Sequence, residues 1–226
     1  MSTLKETQEP QYQEVFDVAE KHGVSKLGLM SNVPWNQDPK HLLFTMSRYK
    51  FVSKLLAGMQ NVLEVGCADA FSTRIVQQTV GHITAVDFDR IFIDDVQSRM
   101  SSNWPMDCFV HDLLEKPVPG NFDGIYSLDV LEHIAPDLED KFIRNMLSSL
   151  DEKGVMIIGT PSLESQKWAS AQSKIGHVNC KSGEELRDVM KEYFSNVFIF
   201  SMNDEVIHTG FYPMAHYLMA LCCGKK

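Results

Sequence analysis

Between residues 61 and 160 the chain alternates short β-branched runs with longer segments of helical period, a pattern that few architectures accept. The runs are NVLEV (61–65), HITAVD (82–87), DCFVHD (107–112), FDGIYSLD (122–129) and GVMIIGT (154–160). Helical period falls at about 70–80, 90–100 and 136–150, with a turn expected at 151–154. Near-continuous apolar strands joined through crossover helices make a parallel sheet covered on both faces. The connection 112–121 is short and proline-marked, so any helix there is brief.

Both ends of the chain depart from this alternation. Residues 183–193 read as a helix, then NVFIFSMN (196–203) and HYLMALCC (216–223) follow as two strands with no crossover helix between them, which implies antiparallel pairing. The expected sheet therefore has seven strands. The connection 161–182, which holds Trp168 and His177, is long for an α/β domain and reads as a lid or binding loop. At the front, about a dozen residues form a loose tail, 10–22 reads as a helix stopped by Gly23, and Asp38-Pro39 opens a second helix that Gly58 ends. Residues 1–58 are thus a tail and helices covering the site, and 59–226 the core of a single domain.

Composition narrows the function. With 44% apolar and 23% charged residues, 226 residues can fill one core. Lys+Arg 21 against Asp+Glu 30 gives a formal charge of −9, which disfavours a phosphate-tracking surface and hence nucleic acid. The five cysteines are odd in number, lack metal-knuckle spacing, and include the adjacent Cys222 and Cys223, so reduced thiols in a cytoplasmic protein are expected. No stretch approaches the ~18 consecutive apolar residues of a membrane span, and the polar start MSTLKETQEPQYQE lacks a secretory apolar region.

The chemistry begins where the first strand ends. Glu64-Val65-Gly66-Cys67-Ala68-Asp69-Ala70 leads from a buried strand into a helix, the place where an open parallel sheet binds nucleosides. Alanine stands at both later glycine positions of the dinucleotide fingerprint, whose second glycine lets the backbone approach a pyrophosphate; a ligand without pyrophosphate relaxes that demand. Asp87 closes the next strand, 21 residues beyond Gly66, where a carboxylate can accept from both ribose hydroxyls.

Taken in order, that turn, Ala85-Val86-Asp87, Val110-His111-Asp112-Leu113 and Ser127-Leu128-Asp129-Val130-Leu131-Glu132-His133 resemble the motifs of class I S-adenosylmethionine-dependent methyltransferases. The resemblance covers about residues 39–223 and implies a Rossmann-like, doubly wound, mostly parallel seven-stranded sheet with a C-terminal antiparallel pair. It implies that Glu64, Gly66, Cys67 and Ala68 serve the methionine portion of the cofactor, Asp87 the ribose, and Asp112 with the Leu113 backbone the adenine. Phe88 would pack on the adenine face, and Leu128 would offer backbone near the sulfonium. Arg48 would pair with the methionine carboxylate; the alternative is a solvated helix residue.

Asp129, Glu132 and His133 stand at i, i+3 and i+4, so one helical turn would bring them to one side, and His177 lies in the long loop at the same sheet edge. Two imidazoles and two carboxylates suit a divalent cation, Mn, Fe, Zn or Mg. The set resembles the metal site of ubiquinone-pathway O-methyltransferases and of small-RNA 2′-O-methyltransferases. Two other readings stand beside it: a metal-free site with His133 or His177 as general base, and purely structural roles.

A hydroxyl is a weak nucleophile and needs such a base or cation. The expected activity is therefore O-methylation of a small-molecule acceptor, a sugar of a surface polysaccharide or a specialised metabolite. Alternatives are a quinone or phenol, an RNA 2′-hydroxyl, a catalytically silent nucleoside-binding partner subunit, and an NAD-dependent oxidoreductase.

Overall fold

The computed structural model describes residues 7–226; the first six residues of the expected tail lie outside it. Three helices come first: α1 (Gln13–His22), α2 (Leu29–Gln37) and α3 (Pro39–Leu55). The alternating region gives β1 (Asn61–Val65), α4 (Thr73–Gln77), β2 (His82–Asp87), α5 (Arg90–Arg99), β3 (Asp107–Val110), β4 (Phe122–Leu128), α6 (Glu139–Ser149) and β5 (Leu150–Pro161). The chain closes with α7 (Ala171–Gly176), α8 (Gly183–Lys191), β6 (Phe194–Asn203), β7 (Val206–His208) and β8 (Tyr217–Lys225).

One sheet of order β3-β2-β1-β4-β5-β8-β6-β7 runs through the molecule. β1 to β5 pair in parallel, and β8 enters antiparallel between β5 and β6. The order reverses between β1 and β4, which makes a crevice beyond the carboxyl ends of those strands. Alternate residues of β1 point to opposite faces: Leu63 joins the core with Ile143 and Met146 of α6 and Leu186 of α8, whereas Val62 joins Val52 of α3, Leu56 and Val76 of α4. That two-sided burial explains why the strands read as apolar runs.

Three expectations are corrected. The sheet has eight strands, because the β6–β8 connection contributes β7, which pairs antiparallel with β6 through a turn at Asp204, itself at φ +50°. The turn expected at 151–154 lies inside β5 as an irregularity: Phe122 pairs with Leu150 and Gly124 with Val155, and Asp151 accepts the Lys153 N–H. The helix expected over 70–80 is shortened to Thr73–Gln77, since Ala70 stands in the left-handed region. α2 was not foreseen in the sequence, and α1 buries no side chain.

Candidate active site

The turn after β1 adopts the conformation its glycine pattern demands although two glycines are missing. Gly66 has φ +77°, and a Cβ there would lie 2.2 Å from Val130 Cγ2. Ala68 and Ala70 stand at φ +44° and +49°, a left-handed geometry that costs a residue with a Cβ about 1–2 kcal/mol each. Hydrogen bonds hold it there: the Gly66 and Cys67 N–H groups both donate to the Val86 carbonyl, and the Ala68 N–H donates to Asp87 Oδ2 at 2.8 Å. Asp87 Oδ1 accepts the Asp89 N–H at 2.9 Å, which leaves each carboxylate oxygen one lone pair for a ligand hydroxyl. The Phe88 ring beside it is solvent-exposed.

Glu64 lies beneath this turn, 1% exposed, where it accepts from the hydroxyls of Tyr49, Thr73 and Tyr126. Burial raises its pKa to about 7 against the pull of those donors. So enclosed, it braces the turn between α3, α4 and β4 and has no surface to offer a cofactor, unlike the role expected for it. Asp69, missed in the sequence, reaches the other way: it accepts the Ser31 N–H at 2.6 Å and the Ser31 hydroxyl, capping α2 from the turn. Further along the edge, Asp112 accepts the Leu114 N–H and Leu113 is buried.

At the end of β4 the expected four-residue cluster divides. Asp129 has φ +58°, so no helical turn starts there, and its carboxylate receives Arg48 Nη1 at 2.8 and 2.7 Å. The Arg48 guanidinium also lies 3.8 Å over the Tyr217 ring, and its side chain is 13% exposed. Arg48 is thus neither a solvated helix residue nor free of a counter-ion, although its buried Nε has no partner among the described residues. Asp129 is corrected from metal ligand to partner of Arg48.

Glu132, His133 and His177 remain together, each offering a ligand atom within 4.8 Å of the others. The two imidazoles meet edge to face at 5.2 Å between centroids. His133 Nδ1 lies 2.9 Å from the Gly176 carbonyl and His177 Nδ1 lies 2.8 Å from Gln166 Oε1. Those oxygens only accept, so both Nδ1 atoms carry a proton, and Nε2 is the nitrogen that holds the lone pair in a neutral ring so oriented. Burial and then the neighbouring His133 lower the pKa of His177, which favours its neutral form. The Glu132 side chain is 1% exposed, and burial followed by the Asp129 charge raises its pKa to about 8, with the Thr160 hydroxyl as donor. Its carbonyl accepts from Val178 and Asn179, which docks the loop that carries His177.

The sheet order, the left-handed turn and the acidic end of β2 are features shared by nucleoside-binding folds, and the sequence comparisons point to one class among them. Residues 62–154 match the model of a family described as a methyltransferase domain, and this match together with the curated relatives supports a class I S-adenosylmethionine-dependent methyltransferase. Among curated relatives, a probable S-adenosylmethionine-dependent methyltransferase of Mycobacterium tuberculosis is 25% identical over 46% of this chain and 36% of its own length. A malonyl-[acyl-carrier protein] O-methyltransferase of Calditerrivibrio nitroreducens is 25% identical over 61% of this chain and 52% of its own. The chain therefore spans between about a third and a half of these relatives. The N-methyltransferase NodS of Bradyrhizobium japonicum shares the fold, with a TM-score of 0.58 at 20% identity over 85% of this chain and 98% of that one. NodS in complex with S-adenosyl-L-homocysteine superposes with a TM-score of 0.54 at 18% identity over 84% and 88%. No helix among the described residues is long and apolar enough to cross a membrane.

Proposed function

We infer that the chain transfers a methyl group from S-adenosylmethionine to a hydroxyl of a small molecule. The observation that carries this reading is the edge-to-face pair of imidazoles, His133 and His177, just beyond the end of β4, each with its Nδ1 against an acceptor oxygen. The residues present suit the cofactor: a turn at Gly66 that admits no Cβ, lone pairs left on Asp87, an exposed Phe88 ring, and an orphaned Arg48 Nε. S-adenosylmethionine, when bound, supplies an electrophilic methyl on a sulfonium that leaves as a neutral thioether. The chain's task is to align the acceptor, exclude water and take one proton. His177 or His133 takes that proton at Nε2, and its Nδ1 hydrogen bond keeps the ring in the required tautomer. In this reading the helices within residues 7–58 cover the site, through Ser31 of α2 on Asp69 and Arg48 of α3 on Asp129.

A second reading keeps the same residues and adds a cation. Glu132, His133 and His177 form a two-imidazole, one-carboxylate set, with both rings already oriented through Nδ1, which fits Mn²⁺, Fe²⁺, Zn²⁺ or Mg²⁺. Such an ion would lower the pKa of the acceptor hydroxyl. The name of the C. nitroreducens relative favours oxygen as the acceptor atom, that of NodS nitrogen; an amine would use the same base.

The test is release of S-adenosylhomocysteine from purified protein with a panel of hydroxylated and amine acceptors, with and without Mn²⁺ or Mg²⁺. His177→Ala should lower kcat at least 100-fold with cofactor affinity retained. Binding of the cofactor with no turnover on any acceptor would make the chain a silent partner subunit, and tight NADH binding would make it an oxidoreductase. Activity untouched by a chelator rejects the cation.

A further inference from the structure

An acceptor that reaches the two imidazoles must cross the loops beyond the carboxyl ends of the strands, and those loops carry an unusual surface. In the 161–182 connection Trp168 and Ile175 are 70% and 83% exposed, and in the β6–β8 connection Phe211 and Met214 stand equally open. The two segments are knitted together and to the site. The Ser162 hydroxyl donates to the Ala215 carbonyl, the Trp168 ring lies 6.4 Å from that of His216, and Gln166 and Gly176 hold the two imidazoles. On the helices that reach the turn and Asp129, Trp35 and Leu43 are exposed as well. The opposite sheet edge is the control within the molecule. Its loops, at 56–61, 78–82, 100–107, 118–122 and 192–195, expose no large apolar side chain. Apolar surface gathered at one edge, around candidate catalytic groups, marks a binding surface rather than the scatter any protein shows.

We propose that the methyl acceptor is amphipathic: its reacting hydroxyl sits at the imidazole pair, and an extended apolar chain or aryl group lies over Trp168, Ile175, Phe211 and Met214. This rests on the methyltransferase reading above and narrows it, since a bare sugar would leave that surface wet.

The experiment uses the full chain loaded with S-adenosylhomocysteine and a series of β-glucosides with methyl, hexyl, octyl and decyl chains, each below its micelle concentration, titrated by calorimetry. The Kd should fall about two- to fourfold per added methylene. Trp168→Ala and Phe211→Ala should each flatten that dependence, and Phe198→Ala, at an exposed residue of β6 outside these two connections, should keep it. Equal affinity for methyl and decyl glucoside, or a chain-length dependence intact in the Trp168→Ala/Phe211→Ala double variant, overturns the proposal. So does a dimer in sedimentation that the double variant dissolves, which would assign the surface to a second copy. Failure to bind S-adenosylhomocysteine at all defeats the underlying reading, and this one with it, by a separate signal.

Discussion

At the edge where the parallel strands begin, connections are tight and unremarkable: Gly58 has φ +85° with nothing within 4 Å of an added Cβ, and Asp123 accepts the N–H groups of Gln60 and Asn61. At the edge where they end, Gly66 has a similar φ but meets Val130, two alanines are held left-handed, and carboxylates at 64, 69, 87, 129 and 132 are enclosed or paired. One backbone geometry is ordinary turn-making in the first case and a shaped cradle in the second. Positive φ alone therefore says little about function; what an added atom would strike says more.

Matched substitutions can break that contrast. The largest effect is expected from Gly66→Ala, which adds the Val130 clash to left-handed strain: S-adenosylhomocysteine binding should weaken at least 100-fold by calorimetry, with a lowered Tm, whereas Gly58→Ala should cost about 1–2 kcal/mol and leave binding unchanged. Next is the pH dependence of Glu64. Its pKa in the folded chain, about 7, stands above the ordinary 4.5, so its contribution is fully present below about pH 4.5 and is lost as pH rises through about 7. The loss is on the order of 3 kcal/mol, and urea unfolding of Glu64→Gln should lack that slope. Asp69→Ala should then cost about 1–2 kcal/mol and speed amide exchange at Ser31, as the cap of α2 is removed. At the quiet edge, Glu152→Ala removes an exposed partner of Lys225 and should change stability by less than about 0.5 kcal/mol. If the last two proved equal, the distinction between the edges would fail for carboxylates.

The same distinction explains what could be read without a structure. β1 and β2 end where the apolar runs end, because burial on both faces writes itself into every residue of the strand. α2 could not be read: it contains Pro34, Gly28 stands at its N-cap with no local side-chain cap, and the carboxylate that caps it lies 38 positions away at Asp69. Glu132, His133 and His177 were legible as a group from spacing and sheet edge, but Asp129 was not separable from them, since the i, i+3, i+4 rule assumes a helix and φ +58° denies one. The Nδ1 partners, Gly176 and Gln166, carry no sequence signal at all.

Arg48 meets Asp129 and the Tyr217 ring at one point, and these three come from opposite parts of the chain. Tyr217 opens the strand that is inserted between β5 and β6, so those two strands are joined in one sheet only once residues 217–225 are in place. As the chain leaves the ribosome the turn after β1 has its hydrogen-bonding partners at Val86 and Asp87 long before residue 217 emerges, but the guanidinium lacks the ring it stacks on. β8 thus completes the wall around Arg48 and Asp129, and a chain lacking it would hold the turn after β1 without the ring that Arg48 stacks on.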